Sequence, residues 1–201
     1  MAFDYIIPTQ NFERIRNAIA AIIVAEFAGQ YALTSNVLFQ SKVWIERFVP
    51  FDISELPAIL VTLDSISEVQ SNPGRRSVYQ MTLQVQVYTW ANDTDSVGGD
   101  ENSALNNHKL TGVLRYIFRN PTYVRASLDS SPLTIQTIQV SEIQFVKPDF
   151  QDGNHTFASQ LTLNIRYDED NGTIVPIDFE MVTTQVKLAE TEKGYYLELN
   201  T

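Results

Sequence analysis

Hydrophobic residues recur every three or four positions near the start of the chain, at Phe12, Ile15, Ile19, Ile22, Ile23 and Phe27. On a 3.6-residue period they form one stripe, which predicts an amphipathic helix over 11–28. Thr9 or Asn11 offers an N-cap oxygen, and Gly29 stands where a helix readily stops. Arg14 and Arg16 fall off the stripe, which assigns them to solvent. Further along, the period changes to two. Val43 and Ile45 alternate loosely with Trp44 and Phe48, predicting a strand over 42–49. Pro57 to Leu63 is a continuous apolar run too short for a helix, and it fits a strand buried on both faces with Pro57 at its entrance.

The plainest alternation lies at 78–90. Tyr79, Met81, Leu83, Val85 and Val87 share one face, and Gln80, Thr82, Gln84 and Gln86 the other. One face therefore meets a core and the other meets water or a polar partner. Ser71 to Ser77 is a turn-rich loop before this strand, and Asn92 to Asn102 is an acidic, mobile loop after it. A second helix is predicted at about 101–119. Its apolar side carries Leu105, Leu110, Val113, Leu114, Ile117 and Phe118; Asp100 and Glu101 sit at the positive end of its dipole, and Asn120-Pro121 stops it.

Two closing strands follow at 133–146 and 156–167, joined by a polar hairpin loop at Asp149 to Asn154. The first changes phase between Val140 and Ile143, which predicts a bulge near Ser141-Glu142. The second places Phe157, Leu161, Leu163, Ile165 and Tyr167 on one side. After Asp168 to Gly172 the character shifts, with two strands predicted at about 179–188 and 195–199 around a turn at Glu192 to Gly194. The fold class expected is α+β. Two helices cover one face of a mostly antiparallel sheet over residues 1–170, and residues 171–201 form a C-terminal β-hairpin arm.

Composition narrows the chemistry. The 201 residues include no cysteine, which removes thiolate nucleophiles, disulfides and cysteine-held metals. A formal charge of −10, from 24 acidic and 14 basic side chains, disfavours non-specific binding to nucleic acid. No secretory leader is visible at Met1 to Tyr5. The aliphatic run Ala18 to Ala25 is far shorter than a membrane span, so a soluble cytoplasmic product is expected.

The only histidines, His108 and His155, form no His-Glu-x-x-His pattern, and the expectation is no metal site. No Gly-x-Ser-x-Gly elbow, P-loop or Gly-x-Gly-x-x-Gly occurs, and Gly98-Gly99 reads as a flexible turn among aspartates that would repel phosphate. The acidic groups Asp93/Asp95, Asp100/Glu101 and Asp168/Glu169/Asp170 lack the full ligand series of a calcium loop and read as solvated turns. No catalytic or cofactor-binding residue is assigned. The candidate contact residues are Tyr88 and Trp90, large aromatics on the glutamine face, Tyr195 and Tyr196 in the tail, and the Arg75-Arg76 pair. Packing beneath a loop or beneath the tail is the competing reading of these aromatics.

The order of elements resembles the tail terminator and tail-completion proteins of tailed bacteriophages. The segments behind the resemblance are Phe12 to Ala21 in the first helix, Leu56 to Val61 in the buried strand, Tyr79 to Trp90, and Leu161 to Tyr167, within roughly residues 10–170. The resemblance implies a non-enzymatic virion protein of the tail or neck, made in the host cytoplasm. It would assemble as a homo-hexameric ring that caps the tail tube and offers a surface for head attachment. The implied partners are copies of itself, the tail tube and the head–tail connector, with DNA passing through the lumen without specific binding, no membrane and no cofactor. The 171–201 tail departs from the most compact members. That leaves a neighbouring neck, sheath-associated or tube protein as the alternative, and a small-ligand binder or hydrolase as the reading from another class.

Overall fold

The structure is a computed structural model describing residues 10–70, 76–93, 97–120, 124, 134–146, 155–170, 187–191 and 194–198. Its elements are α1 (Asn11–Thr34), β1 (Lys42–Ile45), β2 (Ala58–Gln70), β3 (Arg76–Trp90), α2 (Gly99–Phe118), β4 (Thr134–Val146), β5 (Thr156–Asp170), β6 (Lys187–Thr191) and β7 (Gly194–Glu198). The chain divides into two units, Met1–Asn171 and Gly172–Thr201. The first holds a five-stranded sheet in the order β1-β2-β3-β5-β4; the second holds the antiparallel pair β6-β7. Only β1 and β2 run parallel in the large sheet. The expected α+β architecture is the observed one.

Alternation produces the sheet as expected. Met81, Leu83, Val85 and Val87 of β3 are fully buried, and across from them lie Leu161, Leu163 and Ile165 of β5, also fully buried. This row meets Ile15, Ile19, Ile23 and Phe27 of α1 and Leu110, Leu114 and Phe118 of α2 in one core. Each such side chain contributes about 1.5–3 kcal/mol through removal of apolar surface from water. Ala58 to Val61 of β2 is buried at every position, so this stretch is covered on both sides, whereas Asp64 to Gln70 of the same strand are exposed. In β4 the register shifts between Val140 and Glu142, at the expected bulge, and again between Ile135 and Thr137.

Several boundaries differ. Gln10, not Thr9 or Asn11, occupies the N-cap of α1, and its backbone amide donates to Glu13 Oε2 at 3.0 Å. The helix runs through Gly29, which lies in open space, and ends at Thr34; Ser35 adopts the left-handed conformation, φ 54°, and its N–H donates to Tyr31 O. One glycine costs a helix only about 1 kcal/mol, so Gln30 to Thr34 carry it past that point. By length and composition α1 could also cross a bilayer, although its apolar stripe is buried in the core.

Arg16 is not free in solvent: its Nη1 donates to Glu46 Oε1 at 3.2 Å. Glu46, at φ 50°, ends β1 four residues earlier than expected and accepts from the Leu63 amide at 2.8 Å. Leu105 is exposed, because α2 turns Ser103, Asn107 and Thr111 toward the sheet instead. Of the first tail strand expected at about 179–188, residues 179–186 lie outside the described residues, as does the loop at Asp149 to Asn154; β6 begins at Lys187.

Candidate interaction surface

Both long helices cover the same side of the sheet, so the other side is built from polar alternates. Tyr88 O–H donates to Gln86 Oε1 at 2.7 Å, and Gln86 Nε2 donates to Gln84 Oε1 and Gln160 Oε1 at 3.3 Å each. Gln84 Nε2 continues to Asp64 Oδ1 at 2.9 Å, and Thr82 Oγ1 bonds Asn164 Oδ1 at 3.2 Å. The result is a half-buried network of amides and hydroxyls across β2, β3 and β5, in which the polar groups satisfy one another.

At one end of this network stands an aromatic shelf made by the segment after β1. Phe51 packs on Tyr88 with ring centroids 5.2 Å apart and on Trp44 at 6.3 Å. The Arg47 guanidinium lies 4.4 Å from the Trp44 ring centre and 4.5 Å from that of Phe51. It also forms a two-pronged pair with Glu55, at 2.8 and 2.7 Å. This hydrogen-bonded pairing, with the Asp52 amide donating to the same carboxylate, lowers the Glu55 pKa to about 2. Phe48, Val49 and Ile53 form an exposed apolar lip, Phe48 being 87% exposed, beside a groove of about 450 Å³ that also touches Gln86, Tyr88 and Thr156.

A second polar constellation sits where β3 ends and α2 and β5 begin. His155 Nδ1 is 2.7 Å from Asp100 Oδ1, and its Nε2 is 3.6 Å from Asp93 Oδ2. Asp93 Oδ1 accepts from the Gly99 amide at 2.6 Å. The hydrogen bond to Asp100 raises the His155 pKa above its ordinary value, helped by the charge of Asp93. The two carboxylates approach opposite ring nitrogens and do not converge, and among the described residues no group of three or more ligands could hold a metal. Gly98-Gly99 is not a free turn. Gly98 is the N-cap of α2, and a Cβ on buried Gly99 would come within 2.7 Å of both the Ala91 carbonyl oxygen and the His155 ring.

Beneath α2 lies a polar set that alternation could not reveal. Asn107 Nδ2 donates to Val87 O at 2.9 Å, Thr111 Oγ1 shares a hydrogen bond with Ser159 Oγ at 2.6 Å, and Thr89 Oγ1 donates to Ser103 O at 2.9 Å. Thr89, Ser103, Asn107, Thr111 and Ser159 are all buried. The signal was present as a gap: Ser159 interrupts the apolar face of β5, and small polar residues recur at four-residue spacing in α2. His108 is nearby, edge-on to Phe145 at 4.8 Å and to Phe157 at 5.6 Å.

Of the predicted contact residues in the first unit, Tyr88 and Trp90 stand at the end of β3 opposite to Arg76, which opens it. Tyr88 belongs to the shelf and is packed beneath the 46–55 segment, the competing reading noted above. Trp90 is half-buried at the end of β3, opposite Thr156. Arg76 opens β3 opposite Asp170, and Arg75 lies outside the described residues. Tyr195 and Tyr196 pair in β7 with Glu190 and Ala189 of β6. Sequence reasoning passed over Trp44, Arg47 and Phe51, because the expected strand over 42–49 hid a loop folded back on the sheet. No protein-family model matches this chain, and no curated protein matches it in sequence.

Proposed function

We propose that this chain is a non-enzymatic structural subunit that acts by assembling with copies of itself and with neighbouring proteins. In its most specific form the reading is a tail terminator of a bacteriophage particle, a ring that caps the tail tube and presents a surface to the head. The observation that carries the assembly reading is the one-sided layering of the sheet. Both helices occupy one side, and among the described residues no element covers the glutamine network, the Phe48 lip or the outer strand edges in full. The phage assignment is supported by the order of elements and the segments quoted above.

Sheet edges and apolar lips are the features through which protein chains add to one another. Mass photometry and negative-stain imaging of the purified chain test the reading. A closed ring of six copies is the expected particle. A chain that stays monomeric at millimolar concentration, alone and mixed with tail tubes, would remove it. The groove beside Phe48 is the feature that favours the other class, small-ligand binding. That class predicts a saturable ligand whose affinity falls on Arg47→Ala, measured by calorimetry.

A further inference from the structure

The two outer edges of the large sheet are complementary to each other. On β2, strand β1 pairs only with Ala58 to Val61, and Glu46 takes the Leu63 amide. From Asp64 to Gln70 every residue is exposed, and among the described residues no strand lies outside them. The opposite edge is β4, likewise without an outer neighbour among the described residues. Neither Asp64–Gln70 nor β4 contains lysine or proline, the residues that commonly guard an edge.

Three features fit these edges to each other. The first is direction: β2, β3, β5 and β4 alternate in sense, so β4 of one copy laid beside β2 of another continues the antiparallel order. The second is regularity. Bulges interrupt β2 between Leu63 and Ser65 and between Glu68 and Gln70, and interrupt β4 between Ile135 and Thr137 and between Val140 and Glu142. The bulge-free stretches, Ser65 to Glu68 and Thr137 to Val140, lie on the same rows. Ile66 leads through Met81 and Ile165 to Ile138, and Ser67 leads through Gln80 and Arg166 to Thr137. The third is chemistry. Ile66 and Glu68 share the helix side of the sheet with Met81 and Tyr79. On that same side a groove of about 390 Å³ runs along β4, lined by Ile138, Val140 and Ile143 with Arg115, Arg119 and Glu142. An exposed isoleucine and a carboxylate thus meet an apolar row flanked by two guanidinium groups and one acid.

We propose that copies of this chain join edge to edge, with Asp64–Gln70 of one copy pairing antiparallel with the first half of β4 of the next. The contact is heterologous, since each copy offers a different edge to each neighbour. Repetition therefore gives a ring or an open fibre, never an isolated symmetric pair. The proposal rests on the reading of the chain as a self-assembling subunit and names the surface that subunit would use.

The absence of cysteine makes the test direct. In the double variant Ser67→Cys with Thr137→Cys the two positions share a row but stand three strands apart in one molecule, about 14 Å, too far for an internal disulfide. Mild oxidation of the assembled double variant is expected to give a covalent ladder of dimer, trimer and higher species on denaturing gels, while each single variant stays monomeric. Particles that assemble by mass photometry but give no ladder would overturn the edge pairing and leave the assembly reading intact. Covalent dimers from either single variant would overturn it in favour of a symmetric contact. A chain that never assembles would remove both. Ile66→Lys, at an exposed position, is expected to weaken assembly about tenfold with the circular-dichroism spectrum unchanged. Assembly unaffected by this change would count against the proposal.

Discussion

The same strands build both sides of the large sheet, yet the two sides follow different rules. On the helix side Leu83 and Val85 are fully buried in the apolar core. One residue away, Gln84 and Gln86 bond to each other, Thr82 bonds to Asn164, and all three stay half exposed. Stability on the first side comes from area and fit, which are intolerant of lost volume. Hydrogen bonds on the second side exchange protein partners for water at little net gain, so that side is free to serve contact. The contrast separates what holds this molecule together from what it offers to others.

Substitutions can break or sharpen that contrast. Leu83→Ala leaves a cavity on a fully buried row and is expected to destabilise by about 2–5 kcal/mol in urea unfolding. A loss below 1 kcal/mol would mean the helix side is not close-packed. Gly99→Ala asks whether close packing persists to the rim of that side. Its methyl has no room against the Ala91 carbonyl, and a cost of about 1–3 kcal/mol is expected, read as a lowered Tm.

At the same rim His155 gives a smaller, pH-dependent effect. Its folded pKa lies above the ordinary 6.5, so its contribution is fully present below 6.5 and is lost as pH rises through the folded value. His155→Gln should flatten that part of the stability profile, measured by unfolding at a series of pH values. The smallest effect belongs to the open side: Gln84→Ala is expected to change stability by about 0.5 kcal/mol or less, despite its bond to Asp64. A cost equal to that of Leu83→Ala would erase the distinction.

Much of this layout was legible in the chain itself. Period-two alternation at 79–87, the unbroken run at 58–61 and the phase change near Ser141 are local consequences of burial, and each recurs in the structure. What escaped was set by distant partners. Leu105 reads as a core residue by spacing, yet Asn107 and Thr111 take the inward positions because Val87 O and Ser159 wait opposite them. Gly99 reads as slack because a sequence does not show His155 lying against it. The aromatic shelf escaped because Glu46 reverses the chain at a positive φ that no glycine announced. Tyr88, a candidate contact residue, falls within the aromatic shelf that the fold assembles.

The buried polar set under α2 has one more consequence. Asn107, Thr111 and Ser103 meet fixed partners on β3 and β5, so sliding the helix by half a turn, about 2.7 Å, would pull all three away from them without water. Apolar contacts alone would tolerate such slippage far better. The set therefore acts as a detent that fixes where α2 sits along the sheet.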